Sequence, residues 1–261
     1  MFTDASNLGW GITDGTNPSG GLWNEFESAQ HINWKELKAI QIGILTNCKT
    51  NNFKHARVMC DNTTAISYIN NMGGIQSTLC DSLSKDIWLY CRTIDLWITA
   101  AFIPGKENKV ADDKSRRINS GTEWMLNRKL FKKIVNQLYS PEIDLFASRI
   151  NKQLDKYVSW HPDPYALAVD AFTIKWNNYT YFIFPPFSII NKVISKMKED
   201  ETTGLLIVPD WPSQSWYPRA MSLGPVKMKI SPRDSNLLSP QDKDISHPLA
   251  GQMYLLVIQT N

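Results

Sequence analysis

Phe2-Thr3-Asp4-Ala5-Ser6-Asn7-Leu8-Gly9-Trp10-Gly11-Ile12 opens the chain with small and apolar residues around one acid, and its reading decides the fold. Residues 8–14 and 20–24 alternate or cluster small and apolar residues, with Gly9, Gly11, Gly15, Gly20 and Gly21 as turn markers. This predicts two antiparallel strands, the first continuing from the segment that carries Asp4. Only Met1 to Thr3 precede that acid, so the strand holding it is expected to be short at its N-terminal end.

Further along, the period changes. Trp34, Leu37, Ile40, Gln41, Ile44 and Leu45 recur at three- and four-residue intervals, which predicts an amphipathic helix capped by Asn33. Residues 55–60 read as a short buried strand, and Asn62-Thr63-Thr64 supplies capping chemistry for a helix through Asn70. A helix is expected over 77–91 with Leu79, Leu83, Ile87, Tyr90 and Cys91 facing inward. A strand follows over 98–103, stopped by Pro104-Gly105, and then a helix from about Lys109. This order describes an α/β domain, a mixed sheet with helices packed on its faces, over residues 1–118.

The whole chain of 261 residues has room for two such domains. Gly121 begins a connection into a basic amphipathic helix, with Trp124, Leu126, Leu130, Ile134 and Leu138 as its apolar stripe, and Ser140-Pro141 breaks it. Residues 119–140 therefore read as a basic helical linker. Strands are expected over 143–147, 179–184, 204–208 and 253–258, with a helix over 189–197, so residues 141–261 read as a second, smaller α/β domain.

Hydrophobic content of 43% and charged content of 20% describe a globular chain, and no apolar run approaches the roughly 20 residues of a membrane span. The opening lacks a basic segment followed by an apolar one, so an intracellular protein, cytoplasmic or nuclear, is expected. Cys48, Cys60, Cys80 and Cys91 form no C-x-x-C pair and read as buried reduced thiols rather than zinc ligands. A net charge of +3 is too small to argue for nucleic acid by itself. Lys106, Lys109, Lys114, Arg116 and Arg117 nevertheless surround Asp112, and Arg128, Lys129, Lys132 and Lys133 follow. Such clusters are either solvated helix faces or surfaces for phosphates.

Four acids stand in distinct settings: Asp4 on a strand, Glu36 on a helix, Asp61 at the end of a second strand and Asp112 on a second helix. Each has an ordinary explanation. Glu36, three residues after Asn33, could complete a capping box; Asp61 could serve a helix N-terminus; Asp4 could be a turn residue. Asp112 could pair with Lys114 or Arg116, and Asp113 could be the relevant acid instead. Brought together, the four would form a site for hard divalent cations, and two such cations roughly 4 Å apart can clamp a phosphodiester for in-line displacement.

Thr3-Asp4-Ala5-Ser6 with Gly9-Trp10-Gly11, Glu36-Leu37-Lys38-Ala39, Asp61-Asn62-Thr63-Thr64-Ala65 and Asn108-Lys109-Val110-Ala111-Asp112 through Ser115-Arg116 occur in that order. Over residues 1–118 this set resembles the type 1 ribonuclease H domain of retroelement reverse transcriptases, and in flavour that of DIRS-type retrotransposons. The resemblance implies a mixed five-stranded sheet with flanking helices, and hydrolysis of the RNA strand of RNA-DNA hybrids. It implies Asp4, Glu36, Asp61 and Asp112 as catalytic metal ligands for Mg2+, with Mn2+ as substitute. Ser6, Asn7, Asn62 and Arg116 would touch substrate, and the polymerase portion of the same polyprotein would be a partner. No membrane partner is expected.

From Pro141 onward, Ile143-Asp144-Leu145-Phe146-Ala147-Ser148, Asp170-Ala171-Phe172, Phe184-Pro185-Pro186-Phe187 and Val208-Pro209-Asp210-Trp211-Pro212 follow one another. That order is similar to the region after ribonuclease H in DIRS-type elements, which itself resembles phage DNA adenine methyltransferases. Their Asp/Asn-Pro-Pro-aromatic motif would correspond to residues 184–187, where Phe184 offers no acceptor for a target amino group. No glycine-rich turn follows a strand to hold a methyl donor, so a degenerate module is expected. Pro185-Pro186 then reads as a rigid turn, and Trp211, Trp216 and Tyr217 as packing rather than a base-stacking platform.

Overall fold

The computed structural model describes residues 1–48, 54–117, 124–233, 237–238, 247–249 and 251–260. The chain divides into two compact units, Met1–Ser120 and Gly121–Asn261. Gly121 and the connection expected there lie outside the described residues.

The first unit is an α/β layer structure. Its elements are β1 (Phe2–Ala5), β2 (Gly9–Thr13), β3 (Ser19–Leu22), α1 (Glu25–Ser28), α2 (Ile32–Asn47), β4 (His55–Cys60), α3 (Thr63–Asn70), α4 (Thr78–Thr93), β5 (Trp97–Phe102) and α5 (Lys109–Arg116). Among the described residues the strands form a mixed five-stranded sheet in the order β3-β2-β1-β4-β5. The first three run antiparallel, while β4 and β5 run parallel to β1. β1 is thus central although it is only four residues long. One core packs Leu37, Ile40 and Ile44 of α2 with Val58, Ile69, Ile87, Cys91 and Ile98; a second packs Trp10, Ile12 and Trp23 with Ala39 and Ile42. Both faces of α2 are therefore buried.

Three expectations change. The segment expected to run as one strand from Asp4 reverses at residues 6–8, because the Ser6 hydroxyl accepts hydrogen bonds from the Leu8 and Gly9 amides and makes a tight turn. His31 rather than Asn33 caps α2, its Nδ1 accepting from the Asn33 amide. Glu36 is therefore no capping-box residue, and that motif occurs instead at Asn24 and Glu27 on α1. On α4 the buried stripe is Cys80, Leu83, Ser84, Ile87 and Cys91, with Leu79 turned to solvent. The four cysteines are free and buried, and burial pushes the thiols of Cys60 and Cys91 up to about 12.

The second unit contains β6 (Met125–Leu126), α6 (Arg128–Gln137), β7 (Ile143–Asp144), β8 (Val158–Ser159), β9 (Ala168–Val169), β10 (Tyr181–Ile183), α7 (Ile190–Glu199), β11 (Gly204–Pro209), α8 (Tyr217–Met221), β12 (Val226–Ile230), β13 (Leu237–Leu238) and β14 (Leu255–Thr260). Its main sheet has the order β12-β14-β11-β10-β7. β7, β10 and β11 are parallel, whereas β14 is antiparallel to β11 and to β12. The helix placed in the linker segment belongs to this unit: Leu130, Phe131 and Ile134 of α6 pack with Phe182, Leu205 and Val257. Leu126 lies outside that helix, paired in register with Leu237. Pro185-Pro186 turns the chain from β10 towards α7, and Trp211, Trp216 and Tyr217 pack against the core. No helix among the described residues is long and apolar enough to cross a membrane.

Candidate metal centre

Asp4 sits in β1 opposite Gly11 of β2, Glu36 lies on the buried first half of α2, and Asp61 directly follows β4. Each offers a carboxylate oxygen, and these three atoms all lie within 4.8 Å of one another. Asp4 and Glu36 are buried, at 4% and 3% exposure, and Asp61 is half-buried. Burial at this level is costly for charge, and the three acids face one another. The consequence is a pair of perturbed carboxyls. Burial, with the Asp4 and Asp61 charges adding to it, raises Glu36 to about 9, against one hydrogen bond from the Ala5 amide. Burial likewise raises Asp4 to about 6, opposed by a hydrogen bond from Ser115 and assisted by Asp112 and Asp61.

α5 gives the site its remaining wall. A Cβ at Gly11 would lie 1.9 Å from the Ala111 carbonyl oxygen, so only glycine lets α5 settle directly on β2. At that depth the fully buried Ser115 hydroxyl donates to Asp4 Oδ2 at 2.5 Å, while the Ser6 hydroxyl donates to the Ser115 carbonyl at 2.6 Å. Asn108, at the head of α5, donates from Nδ2 to the Thr3 carbonyl at 2.8 Å. Gly105 lies over Asp61, where a Cβ would stand 2.8 Å from Oδ2. Glu36 Oε2 is buried with no hydrogen-bond partner. A buried acceptor of that kind carries a desolvation penalty unless something positive or a donor meets it. Three clustered carboxylates with one orphaned oxygen therefore fit a hard, oxygen-seeking divalent cation.

The other sequence-derived residues divide. Asp112 is not in the three-acid cluster; its side chain is 39% exposed and accepts from Arg116 Nε at 2.5 Å, although its charge is felt at Asp4. Asp113 pairs with Arg117 on the same helix. Ser6 is occupied in its turn and in holding α5. Asn62 caps α3, its Oδ1 accepting from the Ala65 amide, and its Nδ2 donates to Asn33 Oδ1 at 3.0 Å beside Asp61. Asn7 is exposed. Sequence reasoning gave Ser115 and Asn108 no role at the acids and read Asn33 only as a helix cap. Ser115 lay within the Ser-Arg pair already singled out, and its four-residue spacing from Ala111 was the signal that it faces the sheet.

No family model matches the chain, and no curated protein matches it. Among solved structures, RNase H1 from the halophilic archaeon Halobacterium salinarum NRC-1 is similar at 17% identity, over 43% of this chain and 90% of that one, with a TM-score of 0.35. The N-terminal RNase H domain of a Mycobacterium tuberculosis protein, solved as a fusion with maltose-binding protein, is similar at 14% identity, over 43% of this chain and 89% of that one, with a TM-score of 0.33. Overlaps at these TM-scores add no weight, and the first unit's fold rests on its own strand order and registers: a mixed five-stranded α/β sheet with flanking helices, carrying three acids at its centre.

Proposed function

We propose that the first unit is a divalent-metal-dependent endoribonuclease of the ribonuclease H type, which hydrolyses the RNA strand of RNA-DNA hybrids. The observation that carries this reading is the convergence of Asp4, Glu36 and Asp61 with Glu36 Oε2 buried and unpartnered. Asp4, Glu36 and Asp61 would hold Mg2+ or Mn2+, with Asp112 completing the set by release from Arg116. Bound there, the cations would supply a lowered water pKa and charge neutralisation at the scissile phosphate.

The chain's own residues do the positioning. Ser115 fixes the rotation of the Asp4 carboxylate, and the Ala5 amide fixes one oxygen of Glu36 while leaving the other free. Arg116, exposed beside Asp112, offers a guanidinium to a phosphate of the cleaved strand. Asn62 and Asn7 present amides next to the acids, suited to 2′-hydroxyls across a shallow minor groove. The wider setting we propose is a retroelement polyprotein acting inside the cell, with the polymerase portion as partner. Its second unit would be methyltransferase-like and without methyl transfer.

The test is incubation of the full chain with a labelled RNA-DNA hybrid in Mg2+ or Mn2+, beside Asp61→Asn and a chelator control. Cleavage of the RNA strand alone, abolished by both controls, supports the assignment. A folded chain that binds hybrid without cleaving it would instead be a silent nucleic-acid-binding remnant, the reading favoured if Asp112 stays locked to Arg116.

A further inference from the structure

α6 carries Arg128, Lys129, Lys132 and Lys133 at the spacing i, i+1, i+4, i+5, which places all four on one side of the helix. All four are exposed, and none makes an ion pair with a described carboxylate. Residues 124–141 contain no acid at all, so the helix lacks the i,i+4 Glu-Lys pairs that ordinarily balance a solvated face. Some lysines elsewhere in this unit are matched: Lys175 and Lys196 meet Asp200, and Lys229 meets Asp210. What sets α6 apart is four unmatched cations within six residues on one side of a single helix.

We propose that this face of α6 is a docking surface for the phosphate backbone of a nucleic-acid duplex. The inference stands on the second unit alone and does not require the cleavage assigned to the first. At a rise of 1.5 Å per residue, four cations over residues 128–133 amount to roughly one charge per 2 Å of helix. A duplex presents one phosphate per ~3.4 Å of its axis on each strand, so this face carries charge enough to neutralise the phosphates of the strand it lies against. The opposite face of the helix holds Leu130, Phe131 and Ile134 in the core, at 7%, 7% and 0% exposure. A basic amphipathic helix that binds a lipid surface needs its apolar face free to enter the bilayer. This one has none to offer, which leaves an electrostatic partner such as a phosphate backbone.

The experiment measures affinity of the full chain for a labelled RNA-DNA hybrid across a monovalent salt series with chelator present. Wild type is compared with Lys132→Gln/Lys133→Gln and with Lys198→Gln/Lys227→Gln as a charge-matched control on exposed positions of the same unit. The expected result is a salt slope shallower by about 2 in the α6 variant, with little change in the control, because each phosphate-contacting lysine contributes about one unit. Equal slopes in wild type and the α6 variant would overturn the proposal. So would equal losses in both variants, which would mean net charge alone, or binding of phosphatidylserine vesicles as tight as that of hybrid. Arg128→Gln/Lys129→Gln repeats the measurement should the first variant fold poorly. The hybrid is bound without divalent metal, so this outcome is independent of whether RNA is cut.

Discussion

The two units treat buried carboxylates in opposite ways. In the second, each buried or half-buried acid has its partner: Asp200 accepts from Lys175, Lys196 and the Trp176 amide, Asp210 from Lys229 and Tyr217, and Asp144 from the Gln153 and Phe146 amides. In the first, Asp4, Glu36 and Asp61 face one another and one oxygen is left without a partner. The second unit satisfies these acids from within the chain, by lysines at Asp200 and Asp210 and by amides at Asp144, whereas the first leaves its cluster one oxygen short.

The widest gap between the two classes should appear in activity. Asp61→Asn is expected to lower RNA cleavage by more than about 100-fold, beyond the 10–100-fold typical of losing a partner behind a ligand. Hybrid binding in chelator should remain, and cleavage at wild-type rate would erase the distinction drawn above. In the second unit, Asp200→Ala should leave cleavage intact but cost about 3–5 kcal/mol, because it strands Lys196, whose side chain is only 14% exposed. Urea unfolding monitored by tryptophan fluorescence reads this directly.

Asp144 sharpens the comparison through pH. Burial raises its carboxyl to about 7, against hydrogen bonds from the Gln153 and Phe146 amides. A raised folded value means that the folded state holds the proton more tightly. Its stability contribution is thus full below about 3.8 and is lost as pH rises through about 7. The loss is roughly 4 kcal/mol across that window, and Asp144→Asn should flatten it; an unchanged pH slope in the variant would contradict the assignment. The smallest effect is expected at Ser115. Ser115→Ala should raise the Mn2+ concentration for half-maximal cleavage about 10-fold while saturated rates stay close to wild type, as for a group that orients a ligand. An equal fall in rate at all metal concentrations would point to a merely structural serine.

Much of the first unit was legible because its signals are local. Periodicity located α2 and α4, the run before Asp61 located β4 although only Val58 and Cys60 of it are buried, and Pro104-Gly105 marked the end of β5. The reversal at residues 6–8 was missed because a serine hydroxyl, not a glycine or proline, builds the turn. The cap of α2 was placed two residues late since a histidine ring does the work usually given to Asn or Ser. In the second unit, β7 is two residues where five were expected, and β12, alternating Val-Lys-Met-Lys-Ile after a proline-rich stretch, went unrecognised. Both exist by virtue of partners far along the chain, which no window of sequence contains. At the centre, the acids could be read as a set, but the capture of Asp112 by Arg116 depends on a side-chain rotamer.

The seating of α5 on Gly11 also has a consequence in time. Ser115 meets Asp4 across 111 residues and Ser6 across 109. Contacts of such separation are the last to repay the entropy of closing their loop, so they form after the local helices and hairpin. The α5 wall is thus expected to close late, over a sheet on which Asp4, Glu36 and Asp61 have already met. A cation held by these acids, as proposed above, would meet a complete site only after α5 has docked.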